Sequence, residues 1–202
     1  MKTVMIGTPA YNGTVDVRYA NALTQTIKMT PLDMYIFPAF LPYEALLQRA
    51  RNNLCKTALE KKVDELVFID ADIFWKPEDF FRLLSHQLDI IGGVCLQKKD
   101  TGSVCYLAKG TPDENGIQEV EWTGCGFLKI SSNALRKLWD ISKKYTDKSS
   151  TTSSIFEISY ENDELNSEDT TMCHKWKSLQ GKIFIDTKII CGHTGTKIYL
   201  PS

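Results

Sequence analysis

Two carboxylates one residue apart, Asp70 and Asp72, close the short apolar run Leu66-Val67-Phe68-Ile69. The run is bounded and β-prone, so it reads as a strand ending on acids. In an open α/β sheet, ligands sit beyond the carboxyl ends of the strands. Paired acids in such a place need a positive partner. A divalent cation is the obvious one, because hard cations take oxygen ligands. That cation would favour a second anionic ligand, and a diphosphate is the natural candidate.

Other residues could join this chemistry. His193 lies in Cys191-Gly192-His193-Thr194-Gly195, framed by glycines in an expected loop. A lone histidine is more often packed than ligating, but imidazole is a competent metal ligand. Glu168 and Asp169 follow Ser167 at the head of a helical pattern reaching Leu179. Ser167 suits the N-cap, and capping with the helix dipole explains both acids without catalysis. Arg51 borders a helical stripe of Leu46, Leu47, Ala50, Leu54 and Ala58, whereas Arg49 projects away from it. Arg51 either snorkels along apolar surface, reaches a phosphate, or holds the Asp pair. Tyr11, in the turn-rich stretch Thr8-Pro9-Ala10-Tyr11-Asn12-Gly13, is either a loop-packing aromatic or a shelf for a flat base.

The elements that must position these groups alternate. Strands are expected at Thr3–Gly7, at Asp33–Phe37 with Pro38 stopping it, at Val67–Asp72, and at Asp89–Ile91 ending on Gly92-Gly93. Helices are expected at Val17–Lys28, at Tyr43–Lys62, and from Pro77, which is tolerated at a first helical position. That order predicts a parallel, doubly wound half. The glycine pair permits either close backbone approach to a ligand or a bulge.

Beyond it the pattern changes. Val94–Ala108 and Gln118–Thr123 read as antiparallel strands around the Asn115-Gly116 turn. Gly124–Ile130 reads as a strand, and Asn133–Lys143 as a helix with Leu135, Leu138 and Trp139 on one face. The polar stretch Asp147–Ser154 is expected to be a mobile loop or a plain linker. Gly181 suits the left-handed end of the late helix, and Ile183–Asp186 a last strand. The chain stops soon afterwards, at Tyr199–Ser202, so a place within a longer polypeptide is an expectation.

Composition excludes several classes. With 202 residues, 43% hydrophobic and 24% charged, the chain is ordinary globular protein with room for a full core. A net charge of -1 speaks against a general nucleic-acid binder or a polybasic membrane anchor. No apolar run can span a bilayer, and the N-terminus lacks a signal peptide's apolar core. Six scattered cysteines without a CxxC pair read as reduced thiols, and the expected location is cytoplasmic. Asn12-Gly13-Thr14 matches a glycosylation sequon but reads as a turn. Oligomeric state is not legible.

Taken in order, these motifs resemble the GT-A fold glycosyltransferases, which use nucleotide-sugar donors. The resemblance rests on Thr8-Pro9-Ala10-Tyr11, Arg51-Asn52, Asp70-Ala71-Asp72 as the DxD motif, Gly124-Cys125-Gly126-Phe127, Glu168-Asp169 and His193. It covers nearly the whole chain and leans toward transferases that build virus capsid glycans. The QxxRW signature of processive members is absent, which argues against a polymerising synthase.

The resemblance implies one α/β, Rossmann-like GT-A domain over residues 1–202, with a mostly parallel central sheet and a smaller antiparallel part. Residues 1–96 would bind the nucleotide and 97–202 the acceptor. It implies an inverting transfer of a glucose- or rhamnose-type sugar from a UDP-sugar to a glycan hydroxyl, with Mn²⁺ or Mg²⁺. Asp72 would bind the metal, Asp70 the ribose or a metal-bound water, and His193 would complete the shell. Thr8, Pro9 and Tyr11 would hold base and ribose, together with the Asp70-Ala71-Asp72 turn, and Arg51 would brace the nucleotide side. Lys98 or Lys99 would reach phosphate. Asp169 would be the general base, with Glu168 as fallback. Trp122 and Trp75 either stack on sugars or pack in the core.

Two other readings compete. A nucleotidyltransferase shares this kind of sheet but needs a Gly-rich, basic first loop, which Thr8–Gly13 lacks. A non-catalytic nucleotide- or glycan-binding module would keep the aromatic and acidic features without a base.

Overall fold

The computed structural model describes residues 1–98, 103–147, 150–161, 163–195 and 198–199. Its elements are, in order, β1 (Lys2–Ala10), α1 (Val17–Lys28), β2 (Met34–Pro42), α2 (Leu47–Glu60), β3 (Glu65–Ile69), β4 (Ile73–Phe74) and α3 (Pro77–Ser85). Then come β5 (Ile90–Val94), β6 (Tyr106–Ala108), β7 (Ile117–Thr123), β8 (Phe127–Ser131), α4 (Ser132–Ile141), β9 (Lys144–Asp147) and β10 (Ser150–Ser153). The chain continues through β11 (Ser159–Glu161), β12 (Glu164–Asn166), α5 (Glu168–Ser178), β13 (Ile183–Ile190), β14 (Gly192–Thr194) and β15 (Ile198–Tyr199).

The central sheet runs β2-β1-β3-β8-β5-β13-β7-β6. Strands β2, β1, β3, β5, β13 and β6 point one way, and β8 and β7 the other. The fold is thus mixed α/β with a mostly parallel central sheet, joined by small antiparallel sheets β10-β9, β11-β12 and β15-β14-β4. Strand β8, from the second half of the chain, lies between β3 and β5.

Strand β3 shows why its sequence lacks alternation. Successive strand side chains face opposite sides of a sheet. Leu66 and Phe68 enter the core shared with α2, α4 and α5, while Val67 and Ile69 enter the core shared with α1 and α3. A strand covered on both faces must be apolar throughout. Helix starts follow local chemistry. The Asp16 carboxylate accepts the Arg18 N–H at 2.8 Å, Pro77 opens α3, and Ser131 Oγ accepts the Ala134 N–H at 3.1 Å.

Several expectations are corrected. Strand β1 continues to Ala10, with Thr8 and Pro9 paired to Phe40 and Leu41. Pro38 does not stop β2, because β2 is the sheet edge and a missing N–H there forfeits no ladder bond. Helix α2 begins at Leu47, after Tyr43 in a left-handed turn at φ 58°. Leu46 and Leu47 are exposed, and Arg51, Asn52 and Cys55 are buried with Ala50, Leu54 and Ala58. Gly92 and Gly93 lie inside β5, where a Cβ on Gly93 would stand 2.5 Å from Ile189 Cγ2. Close packing against β13, not ligand approach, accounts for that glycine.

The polar stretch after Asp147 is no loop over its described part. Strands β9 and β10 pair, and Thr152 and Ser153 are buried. Positions 148–149 lie outside the described residues, as do Lys99 and 200–202. The left-handed residue after α5 is Gln180 (φ 61°), not Gly181, whose missing side chain makes room for the Trp176 ring. Trp75 is a core residue, its Nε1–H donating to Thr26 Oγ1 at 3.0 Å, and Trp122 packs against the core. Among the described residues, all six cysteines are free and no helix is long and apolar enough to cross a membrane.

Candidate functional site

The acids stand where β3 gives out. The Asp70 N–H donates to Gly126 O at 3.2 Å and the Ile73 N–H to Asp70 O at 3.0 Å, so Asp70-Ala71-Asp72 forms a tight turn into β4. Strand β4 pairs with β14 and sets His193 opposite Ile73. The Thr194 N–H donates to Asp72 O at 2.8 Å. Backbone pairing therefore carries His193, 121 positions later in sequence than Asp72, to that carboxylate. The histidine is a strand residue rather than the loop residue its flanking glycines suggest.

His193 Nε2 lies 3.4 Å from Asp72 Oδ1, and His193 Nδ1 lies 2.7 Å from Leu96 O. A carbonyl only accepts, so Nδ1 carries a proton and Nε2 is the nitrogen turned to the acid. Burial pulls the His193 pKa down, but the Asp72 carboxylate and the Leu96 carbonyl carry it above its ordinary value. Burial pushes Asp72 up, yet its bonds to His193 and Lys98 hold it below the usual carboxylate range. Lys98 Nζ occupies the other oxygen, Oδ2.

A cleft of about 780 Å³ opens here, within the range of small-molecule sites. Pro9, Tyr11, Asp70, Ala71, Asp72 and His193 line it, with Asn12, Thr14, Val15, Asp16, Leu47, Gln97 and Lys98. Tyr11 is 63% exposed. The Asp16 N–H donates to Ala71 O at 2.8 Å, pinning the loop after β1 over the acidic turn. Thr8 is not part of this wall. It is fully buried, and its hydroxyl pairs with Tyr19 Oη at 2.6 Å.

Arg51 is likewise behind the wall. It is 2% exposed; Nη2 donates to Asp70 Oδ1 at 3.1 Å and to Oδ2 at 3.3 Å, and Nη1 donates to Glu168 Oε1. The snorkelling reading fails and the Asp-holding one stands. Its neighbour Asn52 clamps the chain at Phe156, donating to Phe156 O at 2.9 Å and accepting the Phe156 N–H at 2.8 Å. The short motif Arg51-Asn52 thus ties α2 to three distant segments.

Asp169 heads α5 beside Glu168. Its Oδ1 accepts from the Ser167 hydroxyl and from the Thr170 N–H, the latter at 2.8 Å. Ser167 makes no side-chain cap to the helix backbone, contrary to the expected N-cap bond. Asp169 Oδ2 faces Gly124, where an added Cβ would lie 3.5 Å away. Among the described residues Asp169 is not part of the cleft wall; its neighbour Glu168 pairs with Arg51, which holds Asp70.

The expected trio of metal ligands is not gathered as one. Among the described residues, no group of three or more His, Cys, Asp or Glu is assembled to hold an ion. Arg51 donates to both Asp70 oxygens. What remains is the pair Asp72 and His193. That pair suits a cation whose other ligands come from substrate, because Nδ1 is fixed by a backbone carbonyl and Nε2 is presented beside a carboxylate. The sequence reading missed the Leu96 carbonyl and Asp16. Only Asp16 had a visible signal, an acid directly before a helix.

The fold has known relatives. The crystal structure of A197 from STIV superposes with TM-score 0.64 at 16% identity, over 100% of this chain and 95% of that one. GalNAc-T7 with UDP, GalNAc and Mn²⁺ gives 0.61 at 11% identity, over 96% of this chain. The chain spans only 44% of that protein. A UDP-glucose pyrophosphorylase complexed with UDP-glucose gives 0.51 at 10% identity, over 93% and 90% of the two chains. The fold is that of the GT-A glycosyltransferases. No protein-family model and no curated protein matches the chain. At these identities the likeness is one of fold alone.

Proposed function

We propose that this chain is a metal-dependent, inverting glycosyltransferase that moves a glucose- or rhamnose-type sugar from a UDP-sugar to a glycan hydroxyl. The observation that carries the reading is His193 Nε2 held 3.4 Å from Asp72 in a cleft that also presents an exposed tyrosine. In this reading residues 1–96 bind the nucleotide and 97–202 the acceptor. Tyr11 and Pro9 take the base, and Thr8 acts only by setting the backbone of β1. Asp70, fixed by Arg51, meets the ribose or a bound water. Asp72 and His193 hold the cation, and the nitrogen ligand favours Mn²⁺ over Mg²⁺. Kinship to virus capsid-glycan transferases rests on the sequence motifs.

Transfer forms a bond from the acceptor oxygen to the anomeric carbon and breaks the bond to the diphosphate. A bound divalent cation supplies charge stabilisation to that leaving group. The acceptor proton goes to Asp169, whose Oδ2 is the oxygen left over from capping. Attack opposite the leaving group inverts the anomeric centre.

A nucleotidyltransferase on the same sheet would have to neutralise a triphosphate. Among the described residues that line the cleft, Lys98 is the sole Lys or Arg, which favours the diphosphate donor. Incubation of the protein with UDP-sugars and Mn²⁺ discriminates. The proposal expects UDP as product; pyrophosphate release in a parallel incubation with UTP and a sugar 1-phosphate would identify a nucleotidyltransferase, and no turnover in either mixture beside tight binding would identify a binding module.

A further inference from the structure

Lys98 is the cation that Asp72 has when no metal is bound. The two Asp72 oxygens are divided, Oδ1 toward His193 Nε2 and Oδ2 toward Lys98 Nζ. Both neighbours are held by one short segment. Leu96 fixes His193 through its carbonyl, Gln97 is tied by its N–H to Ser103 O at 2.8 Å, and Lys98 follows directly. The Lys98 ammonium, on a side chain 41% exposed, stands at the far oxygen of the Asp72–His193 pair. It also lines the same cleft as Tyr11 and Pro9.

A divalent ion and an ammonium repel each other at one carboxylate, so a metal must displace Lys98 to use Asp72 fully. A displaced ammonium beside a bound diphosphate gains an anionic partner at once. Resting on the metal site proposed above, we infer that Lys98 is a positioning residue that exchanges partners. It neutralises Asp72 in the empty enzyme and passes to the donor diphosphate when metal and nucleotide arrive.

The inference makes a crossed demand on one variant, Lys98→Met. Mn²⁺ binding to the nucleotide-free protein, read by the spin resonance of free Mn²⁺, should tighten about threefold, the scale of a partly exposed ion pair. UDP binding at saturating Mn²⁺, read by calorimetry, should weaken about tenfold, the scale of one charge-assisted contact. Lys98→Arg should retain the weaker Mn²⁺ binding and the stronger UDP binding of the parent. Unchanged or weaker Mn²⁺ binding in Lys98→Met overturns the exchange, and so does unchanged UDP binding. Asp72→Asn, measured alongside, separates the two ideas. If it loses Mn²⁺ while Lys98→Met changes nothing, the exchange alone is wrong. If it binds Mn²⁺ like the parent, the metal site and the exchange fall together.

Discussion

The guanidinium of Arg51 holds Asp70 through both carboxylate oxygens, at 3.1 and 3.3 Å, from a position 2% exposed. The same side chain donates to Glu168. One buried arginine thus joins the acidic turn after β3 to the start of α5, where Asp169 stands. Neither acid can relax away from Arg51 without leaving a charge unpaired.

Arg51→Met should therefore be costly. Removing one partner of a buried ion pair typically costs about 3–5 kcal/mol. Urea unfolding is expected to show a loss of that order. A change below about 1 kcal/mol, the level of an exposed pair, would contradict the bracing role.

His193 should titrate above an ordinary histidine in the metal-free protein. Burial opposes its charge, but Asp72 and the Leu96 carbonyl outweigh burial. With the folded pKa raised, its contribution to stability is complete below about pH 6.5 and is lost as pH rises through the folded value. Asp72, with its pKa lowered, contributes above its unfolded value of about 3.9 and loses this as pH falls through the folded one. The pair thus stabilises the empty protein most between those limits. NMR titration of His193 should give a value above about 6.5 that falls in Asp72→Asn. A value unaffected by that substitution would dissociate the two residues.

Asp169→Asn separates catalysis from capping. As a helix-start residue alone, Asp169 is worth at most about 1 kcal/mol and turnover should survive its loss. As general base, its replacement should slow transfer at least ~100-fold while donor and Mn²⁺ bind as before. The parent's product should show inverted anomeric configuration by NMR. Near-normal transfer by the variant would move the search to Glu168, and a retained configuration would remove the single-base mechanism.

Much of the scaffold was readable because the signals are local. A helix is expected over Val17–Lys28, and α1 spans those residues. Pro77 marks α3, and the β3 run has no other home than a doubly covered strand. Edges and fine positions were not local. Pro38 stays in β2 because β2 is the sheet edge among the described residues, and Gly93 of β5 answers to Ile189 while Gly92 answers to Phe127 O and Ile185. The site splits the same way. The Asp70–Asp72 turn is visible in seven consecutive residues, but the approach of His193 depends on a β4–β14 pairing that no spacing encodes. Arg51 looked like a stripe-edge residue because its two acids arrive from elsewhere in the chain.

Asp72→Asn tests the metal role against a structural one. The side chain is 38% exposed at a strand end, so neutralising it should leave the fold intact. Metal-dependent UDP binding should fall by at least an order of magnitude, on the 10–100-fold scale of losses around metal sites. Normal binding would dismiss Asp72 as a ligand.

The most direct test of the whole account is calorimetric titration of UDP into the protein in Mn²⁺ and again in excess chelator. The account expects saturable binding with Mn²⁺, weaker binding with Mg²⁺, and none measurable in chelator. Equal affinity for UDP with and without the divalent cation would contradict it.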